Sequence, residues 1–212
     1  MDKKNTNVFG SRTAMELKGI ACVSLEPHQE KRKTCCVSRS FGKKVTRLED
    51  LSGAIATHCL NAAEKIRNDN QTVKKITIFI RTSPFQKDKE YYANSKDIDL
   101  PIRTNDSIEL VKQSLIALKS IYRKGYRYQK TGVILSGLKD NDIYNKNLFS
   151  IIDNQEKRNK LMKAIDYTNT KYGRHALSIA QASIKKVWGA KRQHSSKIDT
   201  TSFNLLPAVK AL

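Results

Sequence analysis

Residues 73–82, Val-Lys-Lys-Ile-Thr-Ile-Phe-Ile-Arg-Thr, can be buried on one side only. In an extended chain, successive side chains point to opposite faces. Ile76, Ile78 and Ile80 then share one face, and Lys75, Thr77, Phe79 and Arg81 share the other. The isoleucine face demands apolar cover. The other face resists it, because burying an unpaired cation costs far more than burying a methyl group returns. The segment therefore calls for a sheet that is covered on one side and open on the other.

The neighbouring segments supply the cover. Residues 34–41 read as a first strand and residues 96–103 as a third, with Ile98, Leu100 and Ile102 alternating against Asp97, Asp99 and Arg103. A fourth strand is expected over about residues 127–137. Thr46 with Glu49 forms a capping-box signature, and Leu48, Leu51, Ile55, Cys59, Ala62 and Ile66 follow at helical spacing to about Asn68. Asp106 with Glu109 repeats it before Ile108, Val111, Leu115, Leu118 and Tyr122, in a helix ended by Gly125. The order is βαββαβ. It predicts an α+β fold in which a four-stranded antiparallel sheet carries both helices on one face.

Outside this unit the chain is more polar. Residues 1–11 read as irregular, residues 12–19 as a short helix stopped by Gly19, and residues 26–33 as a linker. Beyond 138 come a polar turn over 139–147, an apolar island at 148–152, and a helix over about 155–172 with Leu161, Met162 and Ile165 as its apolar side. The tail from Ser178 is basic and contains the one tryptophan, Trp188.

The charge is not evenly spread. Lys and Arg number 40 against 20 Asp and Glu, a formal charge of +20. Residues 31–47 hold seven basic side chains and no acid, and residues 119–130 and 185–197 hold five each and none. Clusters of this kind are the footprint of a polyanion partner. No run of 18 apolar residues could span a bilayer, and the start lacks a signal-peptide core. The four cysteines, at 22, 35, 36 and 59, form no disulfide framework, which fits a reduced, cytoplasmic protein. A zinc site from His28, Cys35, Cys36 and His58 fits no standard ligand spacing.

Catalytic signatures are missing from the pattern. Two-metal nucleotidyl transfer needs carboxylates gathered at strand ends. Here Asp97 and Asp99 stand on the outer side of a strand, and Asp140 and Asp142 fall in a polar turn. There is no Gly-rich phosphate loop, and the four histidines are far apart in sequence. The residues describe a binding module.

Several ordered motifs also resemble the C-terminal half of UmuC-type, Y-family translesion DNA polymerases. Arg12-Thr13, Glu16-Leu17, Gly19, Cys22 and Leu25-Glu26 are similar to the end of the family's thumb. Ser38 to Gly42 resembles the opening strand of its little finger domain. Ala62 to Lys65, Arg81 to Phe85, Tyr91-Tyr92, Asn94-Ser95, Tyr126 to Lys130 and Gly132-Val133 continue the likeness. Gly173-Arg174, Trp188, Lys191-Arg192, Ser196 and Thr200-Thr201 carry it through the tail.

The resemblance implies three regions: a disordered start, thumb remnant and linker over 1–33, a little finger over 34–138, and a C-terminal region over 139–212. It implies a sheet whose open face lies along DNA. The expected contacts are Ser38, Arg39, Ser40, Lys43, Lys44, Lys75, Arg81, Thr82, Arg103, Thr104 and Lys130. It implies no catalytic residue, metal or cofactor in this chain, since the family's palm carries the magnesium-binding carboxylates. Asn145, Asn147, Leu148 and Phe149 stand where the family has a sliding-clamp peptide, with Asn145 in place of a leading Gln. The alternative is that Leu148 and Phe149 pack under the following helix. The tail resembles a region implicated in contacts with the UmuD′ dimer and the RecA filament, with Lys197 and Asp199 replacing the usual Pro and Tyr.

An RNA-binding or ribosome-associated module is the competing interpretation, because split βαβ sheets also bind RNA. Such modules stack bases on paired aromatics of the central strands, and here only Phe79 lies clearly on the open side.

Overall fold

The computed structural model describes residues 7–22, 31–85, 91–141, 155–182 and 188–189. The chain forms two compact units, Met1–Lys31 and Arg32–Leu212. In the first, α1 (Val8–Glu16) begins four residues before the expected start. Its N-cap is Asn7, whose side chain accepts from Gly10 N at 3.0 Å. It closes as a Schellman motif, with Gly19 at φ +79° and Ile20 N donating to Met15 O at 3.0 Å.

The second unit contains the expected βαββαβ order. It runs β1 (Thr34–Val45), α2 (Leu48–Asn68), β2 (Gln71–Thr82), β3 (Ala93–Thr104), α3 (Ser107–Ile121) and β4 (Tyr128–Ser136). The antiparallel sheet has the order β1-β4-β2-β3. Each βαβ crossover therefore skips one strand: β4 lies between β1 and β2, and β2 lies between β3 and β4. A two-residue β5 (Lys139–Asp140) joins β2 beside Gln71 and Thr72, in a segment expected to be only a turn.

The core lies between the sheet and the helices. Leu51, Ile55, Cys59, Ala62 and Ile66 of α2 are fully buried, as are Ile76, Ile78 and Ile80 of β2 and Val133 and Leu135 of β4. Each large aliphatic side chain in this set stabilises the fold by roughly 1.5–3 kcal/mol. The buried side of α3 is turned slightly from the expected stripe. Leu110, Ser114, Ala117 and Ile121 are buried beside Val111 and Leu118, while Ile108 and Leu115 are only half-buried. Ser114 can lie inside because Cys59 Sγ donates to its hydroxyl at 3.1 Å. Burial pushes that thiol up to about 12, so it behaves as a packing group.

Two caps differ from expectation. At α2 the Thr46/Glu49 box does not form. Arg47 occupies the N-cap and its guanidinium holds Glu49 at 3.3 Å, while Thr46 O accepts from Tyr122 Oη at 2.8 Å. At α3 half the box forms. Asp106 accepts from Ile108 N at 2.8 Å, but Glu109 takes Gln113 Nε2 instead of reaching back.

The C-terminal region contributes to this same unit. The helix α4 (Gln155–Tyr172) has the expected bounds and buries Met162, with Ile165 half-buried and Leu161 exposed. Asp166 on α4 takes a two-pronged contact from Arg67, at 2.6 and 2.7 Å. Trp188 is also in the core, 6.2 Å from the Phe41 ring and edge-on to His58 at 5.5 Å, and its carbonyl accepts from Gly42 N. The basic tail thus supplies an apolar anchor that its composition conceals.

Candidate nucleic-acid interface

Strand register lines up the open face in four rows. Reading β1-β4-β2-β3, they are Thr34–Ser136–Lys75–Asp99, Cys36–Ile134–Thr77–Asp97, Ser38–Gly132–Phe79–Ser95 and Ser40–Lys130–Arg81–Ala93. Small and hydroxyl side chains dominate the rows, so the face has few bulky obstructions.

Charge is divided along the strands. In the first two rows Lys75 Nζ reaches Asp97 at 3.4 Å and Asp99 at 4.0 Å. The Thr77 hydroxyl, and after it Lys75, hold the Asp97 carboxyl below the usual carboxylate range. In the fourth row Arg81 and Lys130 are direct cross-strand partners. Like charges opposite one another destabilise a sheet, and no acid among the described residues forms an ion pair with either. The cationic end continues through exposed Lys43 and Lys44, beyond the register shift between Ser40 and Val45.

Tyrosines brace this end. Tyr92 Oη donates to Ile121 O at 2.6 Å. Tyr128 Oη donates to Arg123 O and accepts from Arg123 N. The Arg123 guanidinium lies 4.9 Å over the Tyr92 ring, and exposed Lys124 and Arg127 flank the same loop.

The expected contact residues divide into two groups. Ser38, Ser40, Lys75, Arg81 and Lys130 lie on the open face, with Lys43 and Lys44 exposed at its edge. Four do not fit a surface grip. Arg39 alternates with Ser38 and Ser40 and pairs with buried Thr131, so it belongs to the opposite side of the edge strand. Thr82 is 5% exposed, and its hydroxyl accepts from Tyr92 N at 2.9 Å, closing the base of the β2–β3 hairpin. Arg103 is tied to Thr72 O at 3.2 Å and to Gly137 O, and partial burial lowers its pKa. Thr104 Oγ1 accepts from Asp106 N at 3.1 Å. The last three fasten the fold; their identities suit a phosphate contact, but their partners are backbone groups and, for Arg103, also the Thr72 hydroxyl. Asn145, Asn147, Leu148 and Phe149 lie outside the described residues.

Sequence alternation understated two features of the face. Asp97 and Asp99 make its β3 side acidic. Gly132 is a position with no room for a side chain: a Cβ there would stand 2.5 Å from Phe79 Cζ and 2.5 Å from Ser38 Cβ. A lone glycine inside a strand pattern is the signal that marks such a place.

Among the described residues, no three His, Cys, Asp or Glu side chains gather to hold a metal ion. Cys35 is buried on the helix side and its neighbour Cys36 is exposed on the open side. His58 packs on Trp188, and His28 lies outside the described residues. Nor is any helix among those residues long and apolar enough to cross a membrane.

Comparison with known proteins agrees with this architecture. The model of the impB/mucB/samB family C-terminal domain matches residues 32–148, and that of a domain of unknown function, DUF4113, matches residues 159–209. Protein UmuC of Salmonella typhimurium is 35% identical over 210 residues, covering 98% of this chain and 49% of its own length. Protein ImpB of the same organism is 33% identical over 208 residues, and Protein MucB of Escherichia coli 34% over 205, covering 49% and 48% of their lengths. The chain spans about half the length of the curated relatives it matches. It belongs to the impB/mucB/samB family and contains that family's C-terminal domain, followed by a stretch that matches DUF4113.

Proposed function

We propose that this chain grips primer–template or damaged DNA through its phosphates, as the non-catalytic C-terminal part of an error-prone translesion polymerase of SOS DNA repair, in the cytoplasm. The observation that carries this is the Arg81–Lys130 pair. Two cations held opposite each other on an open sheet cost stability unless an anion lies across them. Duplex DNA presents a dense row of phosphates and releases counterions on binding. Family membership supports the same function.

The test is a salt titration of primer–template binding by fluorescence anisotropy. If about six basic groups touch phosphates, affinity should fall roughly a thousandfold between 50 and 200 mM salt. A flat response would overturn the proposal. Duplex should be preferred over single strands, and tighter binding to single-stranded RNA would favour an RNA module instead. With magnesium and nucleotides, the chain alone should not extend a primer; incorporation above background would refute its non-catalytic role.

The resemblance extends the proposal to protein partners. The segment Asn145 to Phe149 would engage a sliding clamp, with Leu148 and Phe149 as anchors, and the tail would contact UmuD′ and the RecA filament. Loss of clamp capture on Leu148→Ala with Phe149→Ala would support the first; unchanged capture would overturn it.

A further inference from the structure

Phosphate contacts account for the fourth row of the open face and leave the third unexplained. Phe79 stands in the middle of the sheet, half-buried, on the side that the helices do not cover. An aromatic side chain on an open face usually stands up from the strand. This one leans across its neighbour. Its Cζ stands only 2.5 Å from where a Cβ on Gly132 would be, and that same place is 2.5 Å from Ser38 Cβ on the next strand. Adjacent strands are about 4.8 Å apart, so the ring must lie down over β4 to reach there. Gly132 is what permits it. The consequence is a low aromatic platform, bordered by Ser38 and Ser95 in its own row, with Arg81 and Lys130 one row away.

That row lies about 6.6 Å along the strands from the ring. Cations at this distance from a recumbent aromatic ring match the separation between a nucleotide's phosphate and its base. Every nucleobase has a π-face, so stacking tolerates any sequence. A base inside a duplex is already stacked and cannot use the platform. We infer that Phe79, lying over Gly132, is the stacking site for one unpaired nucleobase next to the duplex held at the cationic end. The inference rests on the DNA-holding function and adds a second ligand class to it: an unstacked base, as in a template overhang.

The test compares three probes with the full chain: a blunt duplex, a primer–template with a thymidine overhang, and the same primer–template with an overhang of abasic tetrahydrofuran units. The two overhangs carry the same phosphates. Wild type should prefer thymidine over abasic by roughly tenfold. Phe79→Leu, which keeps an apolar side chain, should erase that preference and leave blunt-duplex affinity within twofold. Phe79→Trp should retain it. Gly132→Ala should weaken it by dislodging the ring, and serves as the second variant if Phe79→Leu unfolds by circular dichroism. Equal affinity of wild type for the two overhangs would overturn the platform while salt-dependent duplex binding left the DNA-holding function intact. A preference that survives Phe79→Leu would overturn it too. Failure to bind any of the three probes would overturn both.

Discussion

Where β2 begins, charged side chains near the sheet come in pairs; where β2 ends, several cations have no described acid beside them, and the exposed Arg47–Glu49 pair at the start of α2 is the exception among the described ion pairs. Around Gln71 stand Arg32 with Asp69 at 3.1 Å, Arg67 with Asp166 at 2.6 Å, Arg158 with Asp106 at 3.2 Å, and Lys75 with Asp97 at 3.4 Å. Around Thr82 stand Arg81, Lys130, Lys43, Lys124 and Arg127, none of which forms an ion pair with a described residue. The two ends use the same residue types for different purposes. A cation with a carboxylate fastens one element to another. A cation facing its like stores repulsion that a bound anion relieves. Removing charge at the first end should therefore cost folding stability, and at the second end DNA affinity.

The largest effect is expected from Arg67→Ala. Its side chain is 10% exposed and serves three partners: Asp166 on α4, Asn105 O at 2.8 Å and Ser107 Oγ at 2.7 Å. Truncation strands a carboxylate that is only 24% exposed and detaches α4 from α2. The loss should be roughly 3 kcal/mol, read by urea unfolding. DNA binding measured below the new midpoint should be unchanged.

Next comes the double substitution Arg81→Ala with Lys130→Ala. Two lost phosphate contacts should reduce the slope of log affinity against log salt by about 1.8 and weaken binding at 0.1 M salt by roughly fiftyfold. The melting temperature should hold or rise, because the repulsion is gone. A drop in stability comparable to that of Arg67→Ala would mean the two ends do not differ in kind.

This division was only partly legible in the sequence. The covered and open faces of β2 follow from strict alternation, and the helices from their 3.6-residue stripes, so fold class and element order were readable. What alternation cannot see is what a side chain does once a neighbouring strand is fixed beside it. Arg103 and Thr82 look like phosphate ligands because of their type, yet each meets a backbone group that only the register brings near. Arg39 sits one residue out of phase with its serine neighbours. Trp188 looks like part of a polar tail because its burial depends on Phe41 and His58, more than a hundred residues earlier.

A smaller effect should follow from Gly132→Ala, midway between the two ends. The new methyl would stand 2.5 Å from both Phe79 Cζ and Ser38 Cβ, so the ring must lift or the strands part. Overpacking of this kind costs roughly 1–2 kcal/mol. Because no charge changes, the salt slope for blunt duplex should stay as in wild type. A slope altered by Gly132→Ala would show that the platform and the cationic end act as one surface.

The smallest effect concerns the acid that makes the paired end paired. Asp97→Asn removes a negative charge from the open face and releases Lys75 toward the remaining Asp99. Duplex affinity should rise by roughly threefold at low salt, and the gain should vanish above about 0.5 M. The pH dependence has a definite sign. The folded Asp97 carboxyl titrates below the ordinary range, so its attraction for Thr77 and Lys75 is complete above that range and is lost only as pH falls through the lowered value. Between pH 5 and 7 the carboxylate stays charged, and the gain from Asp97→Asn should be equal at both limits. A gain that shrank toward pH 5 would mean that Asp97 is already being protonated there, and that Lys75 and Thr77 do not hold it as the geometry requires.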